Sequence, residues 1–306
     1  KERVRKAMQQ LGYEPGNTGL SMQNNKTIGI VLPVSEDDTY ENAFFLETMR
    51  GISLFCNQKQ YFTTLITGST NEELLSAIRT MVKENHLDGI ILLYSNEQDP
   101  IIDYLYENGI LFVQIGKASQ YPGETICIDN DNILAAREAV NYLYALGHRK
   151  IGYVGTDLKR IFSADRKAGY MLALAENNVP FKESYYLEMP QVPKEENDAL
   201  LHFLSGNDRP TAVLVSDDIL AMVLEKTAFK LHLHIPEDLS IISFNNSLFS
   251  KLSSPQLTSI DINSRQLGIE AASQMINHIE NPGLLATKII VPHFMIERQS
   301  CAAPAD

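Results

Sequence analysis

The side chains of this 306-residue sequence best equipped for chemistry fall into a few groups. Asp129 with Asp131, and Asp217 beside Asp218, are carboxylate pairs of the kind that share acid and base roles. Both pairs stand where a helix begins, and Asp there accepts hydrogen bonds from the free N–H groups of the first turn, so they read as caps. His232 and His234 lie on one side of an extended segment but precede Pro236 in a polar turn, with no third ligand nearby to complete a metal site. His148 follows Gly147 at a helix end, the place for a partner of the helix dipole. Arg166 is different. It follows Phe162-Ser163-Ala164-Asp165 at a strand-to-helix crossing and would point over a cleft, unless it pairs with Asp165. A guanidinium is a rigid fork of donors that can bridge several hydroxyl oxygens. Phe44, Phe45 and Phe162 could supply flat walls to the same cleft, although for each taken singly core packing is the safer reading. A sugar ring has a C–H face and a rim of hydroxyls, and aromatics with Arg, Asp and Asn match it.

No glycine-rich phosphate loop, nucleophile elbow, zinc-protease helix or CxxC pair occurs. No cofactor is implied, and no nucleophile–base constellation or metal cluster marks an enzyme.

The elements that must position these residues alternate. Strands are predicted over 27–32, 61–67, 88–94, 110–115 and 125–128, and then over 150–154, 185–189, 211–215, 239–244, 257–262 and 288–294. Helices are predicted between them, over 72–85, 100–108, 133–146, 165–177, 195–204, 218–230 and 265–279. Another holds Phe44, Phe45, Thr48, Met49, Ile52 and Phe55 on one face. Such alternation makes a parallel sheet with helices on both faces. The fold expected is α/β: two similar open parallel-sheet lobes with a ligand cleft between them. Ligands of open sheets bind beyond the carboxyl ends of the strands. Those ends fall near 33–45, Tyr94, Gly116, 156–166, Met189, 216–218 and 244–246.

Ahead of the first strand lies a different kind of segment. Val4, Met8 and Leu11 form one apolar stripe on a short helix, Lys1 to Gly12, too small to bury that stripe alone. A Pro/Gly/Asn-rich connector follows. Residues 1–26 carry five basic side chains against two acidic ones, on a chain whose net charge is −12. A basic head on an acidic body suits local contact with a polyanion, not a body that grips nucleic acid over its whole surface. Three scattered cysteines give no disulfide framework, and no apolar run approaches the ~20 residues of a membrane span. A cytoplasmic chain without membrane contact is expected.

Taken together, several segments resemble the LacI/GalR family of bacterial transcriptional regulators. They include Leu11-Gly12-Tyr13-Glu14-Pro15, Thr27-Ile28-Gly29, Asn42-Ala43-Phe44-Phe45, Asp88-Gly89-Ile90-Ile91 and Leu146-Gly147-His148-Arg149-Lys150-Ile151. Arg166-Lys167-Ala168-Gly169-Tyr170, Ser216-Asp217-Asp218 and Ile235-Pro236-Glu237-Asp238-Leu239-Ser240 continue the likeness. Phe112 to Lys117 is most similar to the maltose-operon repressors within that family.

The resemblance implies a homodimeric repressor with a helix-turn-helix head, a hinge helix and a two-lobed sensor of the periplasmic-binding-protein type. Its expected partners are operator DNA and a saccharide effector, maltose or a relative. Residues 1–26 would be the remnant of the DNA-binding head and the hinge. Residues 27–129 with 263–287 would form the N-terminal lobe, and 130–262 with 288–306 the C-terminal lobe. Met22 holds the place of the side chain that wedges into the minor groove. Gly16 and Gly19 depart from the family's hinge and cost about 1 kcal/mol each in a helix. Carried across, the effector residues would be Phe44, Phe45, Arg160, Phe162, Arg166, Asp217 and Asn245. Gly116 stands where the family often has Asp, a substitution read here as room for a larger ligand such as a disaccharide. A secreted sugar-binding protein of the same fold, and a repressor controlled by a protein partner, are the alternative readings.

Overall fold

The computed structural model describes residues 26–34, 42–84, 86–190 and 198–305. The predicted helix 1–12 and the hinge with Met22 lie outside these residues. The first lobe is built from β1 (Thr27–Val31), α1 (Ala43–Gln58), β2 (Phe62–Ile66), α2 (Asn71–Lys83), β3 (Gly89–Leu92), α3 (Pro100–Glu107), β4 (Phe112–Ile115) and β5 (Ile126–Asp129). The second takes α4 (Asn132–Ala145), β6 (Ile151–Gly155), α5 (Ile161–Glu176), β7 (Tyr186–Glu188), α6 (Asp198–Leu204), β8 (Ala212–Val215), α7 (Asp218–Lys230), β9 (Ser240–Phe244), α8 (Leu248–Leu252) and β10 (Thr258–Asp261). Helix α9 (Ser264–Glu280) returns to the first lobe, and β11 (Lys288–Ile290) and β12 (Phe294–Ile296) close the chain.

Each lobe holds a six-stranded sheet, in the order β11-β5-β4-β3-β1-β2 and β12-β10-β9-β8-β6-β7. Every pairing is parallel except that of β10 with β12. The central strands are wholly buried, Gly-Ile-Ile-Leu in β3 and Ala-Val-Leu-Val in β8. Helices cover both faces of such a sheet, so an unbroken apolar run replaces the alternation of a one-sided strand. In the first lobe α1 and α9 lie together on one face. A Cβ on Gly51 would come within 2.1 Å of the Arg265 carbonyl, and one on Gly268 within 2.1 Å of that of Thr48. Two glycines thus allow backbone-to-backbone contact between these helices.

The chain passes between lobes after β5, after β10 and after β11. One buried side chain ties the three passages: Asn130 Nδ2 donates to the carbonyl of Ile262 at 3.0 Å and to that of Val291 at 2.8 Å. The lobes also touch across the cleft. Ile161 N–H donates to Ser95 O at 3.1 Å, Glu97 N–H donates to Lys159 O at 3.1 Å, and Lys117 pairs with Asp165 at 3.2 Å.

Three sequence expectations change. The single strand 288–294 is two strands, one in each sheet, divided at Val291-Pro292-His293; residues 288–290 therefore pair in the first lobe's sheet. Proline cannot donate to a ladder, which explains the break. Helix α5 starts at Ile161, four residues before its expected start, because its N-cap Arg160 makes no side-chain capping bond and leaves no Ser or Asp signal. His148, read as a dipole partner, proves to be a buried, hydrogen-bonded side chain just past that helix end. It is 1% exposed, bonded to Thr211 Oγ1 at 2.9 Å and the Ala302 carbonyl at 2.9 Å, and burial lowers its pKa.

Candidate functional site

A cavity of about 580 Å³ lies between the carboxyl ends of the two sheets. It brings together all eight residues expected at the cleft: Phe44, Phe45, Gly116, Arg160, Phe162, Arg166, Asp217 and Asn245. Of the strand ends singled out in sequence, only Met189 is absent from its lining.

Phe44 and Phe45 open α1, whose N-cap Asn42 accepts the Phe44 N–H at 2.9 Å. Their rings meet edge to face with centroids 5.3 Å apart. Phe45 is buried in the first lobe, while Phe44 rests on the apolar clusters of both lobes and so bridges them.

Arg166 lies deeper than the sequence implied. It is 4% exposed and lies inside α5, beneath the cavity. Asp165 turns to Lys117 instead of to its neighbour. Arg166 Nε donates to Asn132 Oδ1 at 2.9 Å and Nη1 to the Ser216 carbonyl at 2.6 Å. The guanidinium lies 3.9 Å from the centroid of Phe244 and 4.9 Å from that of Phe162. Burial lowers its pKa to about 10 against the pull of Tyr153, Asp217, Asp129 and Asp218, so it stays charged near neutrality. Its donors fix Asn132 and the β8–α7 turn, and Asn132 itself lines the cavity.

The two Asp pairs separate. Asp131 caps α4 by accepting the Leu134 N–H at 2.9 Å, and Asp217 caps α7 by accepting that of Leu220 at 2.9 Å. Asp129 is no cap. It ends β5 in the cavity wall, and burial pushes its carboxyl up to about 7, with the nearby Asp165 adding and Arg166 opposing. Asp218 turns away into the second lobe, accepting from Ser243, from Ser259 at 3.1 Å and from the Ser247 N–H at 2.7 Å. Neither pair has the shared geometry of an acid/base dyad. His234 pairs with Asp238 at 3.1 Å, and among the described residues no group of three or more His, Cys, Asp or Glu is placed to hold a metal ion.

Arg160 lines the cavity from the N-cap of α5, where its backbone bridges Asn96 of the opposite lobe. Burial lowers its pKa against the attraction of Asp157 and Asp217. Asn245 takes a left-handed conformation, φ +93°, with its N–H on the Ile260 carbonyl at 2.8 Å. Gly116 overturns its expectation. Its φ is +110°, and a Cβ there would meet Ser95 Cβ at 2.6 Å, so the glycine serves the backbone and opens no space. Asn132 and Asp129 went unread as cavity residues, because a strand end and a helix start carry the same Asp and Asn preferences as a plain cap.

Residues 140–301 match the periplasmic binding protein-like domain. The HTH-type transcriptional regulator MalR of Staphylococcus xylosus is 30% identical over 302 residues, 98% of this chain and 88% of that protein. Among solved structures, a putative transcriptional regulator LacI from Bacillus cereus subsp. cytotoxis superposes with a TM-score of 0.86 at 37% identity, covering 90% of this chain and 98% of its own. A probable maltose operon transcriptional repressor malR from Staphylococcus aureus gives a TM-score of 0.82 at 27% identity, covering 91% and 99%. No helix among the described residues is long and apolar enough to cross a membrane.

Proposed function

The chain belongs to the LacI/GalR family of transcriptional regulators, and from that premise we propose that it is the sensing part of a repressor whose effector is a saccharide, maltose or a close relative. The lining of the cavity carries the reading. Aromatic faces from Phe44, Phe45 and Phe162 stand with Asn132, Asp217, Asn245 and the fixed cation Arg166 around one space between two lobes. Flat apolar walls suit the C–H faces of a pyranose, and fixed amides and carboxylates suit its hydroxyls. A cavity of about 580 Å³ falls within the roughly 300–1,000 Å³ of small-molecule sites and leaves room for a disaccharide as well as for a single ring.

In this reading residues 1–26 belong to the DNA-binding head and the hinge, with Met22 as the minor-groove wedge. Residues 27–129 with 263–290 form one lobe, and 130–262 with 291–306 the other. A second copy covers some of the large apolar side chains left exposed, among them Leu46, Leu54 and Phe62 in the first lobe and Phe229, Leu248 and Leu252 in the second. The effector favours the joined arrangement of the lobes, which moves the paired first lobes relative to each other and releases the operator. It can do so only through its different affinity for the two arrangements.

Calorimetry of this chain against maltose, maltotriose, trehalose, sucrose, glucose, ribose and purines tests the sensor. Operator binding by the full-length dimer, with the bound sugar at saturation, tests the regulation. Micromolar binding of a saccharide and loss of operator affinity are expected; silence across the sugars overturns the reading.

A further inference from the structure

Helix α7 meets the short α8 through two carboxyl groups. Asp218 and Glu225 stand seven positions apart on α7, about two turns along one face. Asp218 takes the amino end of α8, accepting the N–H of its cap Ser247 at 2.7 Å. Glu225 lies by the carboxyl end, with the side chain of the cap residue Ser253 as its polar neighbour. The two ends are furnished differently. Asp218 also accepts the hydroxyls of Ser243 and Ser259, so its oxygens have donors. Glu225 Oε1 is buried and has no hydrogen-bond partner among the described residues.

Ser253 does not supply a donor. Its Oγ donates to the Phe249 carbonyl at 3.0 Å, so its single hydrogen is spent within α8. Toward Glu225 that oxygen can only accept. A carboxylate has no hydrogen to give it, whereas a carboxylic acid has one. The contact is therefore complete only with the acid form. Burial works in the same direction, pushing the carboxyl up to about 7, with the charge of Asp218 adding to it. The other charged groups on the packed elements are Lys226 and Lys230 of α7, Lys251 of α8, and Asp198 and His202 of α6; β8 and β9 carry none. All five are exposed, where water and salt screen them.

We propose that Glu225 is a proton-operated latch on α8: its acid form donates to Ser253 and holds the carboxyl end of the helix on α7, and loss of the proton releases that end. The amino end stays fixed by Asp218. Helix α8 carries Leu248 and Leu252, which stand on the face given above to a second copy. Release of α8 disorders that face, so association between copies weakens as the pH rises. This last step rests on the dimer of the preceding reading; the latch rests on the second lobe alone.

The sign follows from the two states. A released Glu225 has the ordinary value of 4.5 and a latched one about 7, so the latch is strongest at low pH and is lost as pH rises through about 7. Hydrogen exchange of the 248–253 amides in the 306-residue chain, corrected for the intrinsic pH dependence, reads it directly. Protection should fall about tenfold from about pH 6 to about pH 8 in wild type, and should stay level in Glu225→Gln, whose neutral amide donates at every pH. No fall in wild type, or the same fall in both chains, overturns the latch. Should Glu225→Gln not fold, NMR titration of the wild-type Glu225 carboxyl carbon decides: a midpoint near 7 supports the latch and one near 4.5 overturns it. Sedimentation over the same pH range tests the dependent step. Association that ignores pH while exchange follows it leaves the latch standing and takes the second copy off this face.

Discussion

The side-chain amide of Asn130 donates to the backbone carbonyl of Ile262 at 3.0 Å, joining the first and second passages of the chain between lobes. The same nitrogen reaches Val291 in the third passage at 2.8 Å. A single buried group thus sets the spacing of the three crossings between the lobes. Asn130→Ala leaves two carbonyls short of a donor and should cost about 1–3 kcal/mol. Asn130→Asp should cost more, since a carboxylate repels both oxygens. Urea midpoints measure both, and an Asp variant as stable as wild type would remove the tie from the account.

Arg166 is bound by geometry as much as by charge. Its two donated bonds leave at fixed angles toward Asn132 and the Ser216 carbonyl, and its flat face lies on Phe244. Lysine is a point charge on a flexible stem and cannot make both bonds and the stack. Arg166→Met should destabilise by about 3–5 kcal/mol, because Asp129 and Asp217 lose a buried cation. Arg166→Lys should recover only part of that loss. Full recovery of stability and sugar affinity by lysine would show that charge alone matters.

Asp129 gives the stability curve a slope. Its carboxyl is pushed up to about 7 from the ordinary 3.8, chiefly by burial. Between those values the folded chain keeps a proton that the unfolded chain releases. The stabilisation is complete below about 4 and is lost as pH rises through about 7. Glu225, also raised to about 7 by burial, acts in the same direction, while His148, lowered by burial, acts oppositely below 6.5. The stability of wild type relative to Asp129→Asn should therefore fall from about pH 4.5 to 7.5, by at most about 1.4 kcal/mol per pH unit. A difference that does not change with pH contradicts the assignment.

The exposed apolar side chains make a prediction about assembly. Phe229 is 82% exposed and Leu252 72% exposed. In the dimer proposed above, Phe229→Glu with Leu252→Glu should shift sedimentation toward the monomer and leave the far-ultraviolet circular dichroism of the folded chain in place, since neither side chain is in a core. Unchanged sedimentation would overturn this face as a contact between copies.

Much of the architecture was open to reading from pattern. Buried parallel strands announce themselves as short apolar runs, and α7 begins and ends where its Asp cap and 3.6-residue period place it, Asp218–Lys230. Other features gave no local sign. Ile161 starts a helix without a capping side chain. The short α8, Leu248–Leu252, is too brief to show a period, although Ser247 caps it by accepting the Phe249 N–H at 3.2 Å. Pro292 was the missed signal that the closing strand divides.

The sequence by itself determined two α/β lobes and the set of side chains at their strand ends, because strand direction and side-chain period are local properties of the chain. Tertiary structure alone decided what those side chains do. Arg166 chose Asn132 and Ser216, residues 34 and 50 positions away, over the adjacent Asp165. Gly116 proved to face Ser95 and not open space, and Asp129 became a buried carboxyl instead of a cap. Each of these depends on what another segment brings within a few ångströms, and a contact between distant segments leaves no spacing in the chain from which it can be read.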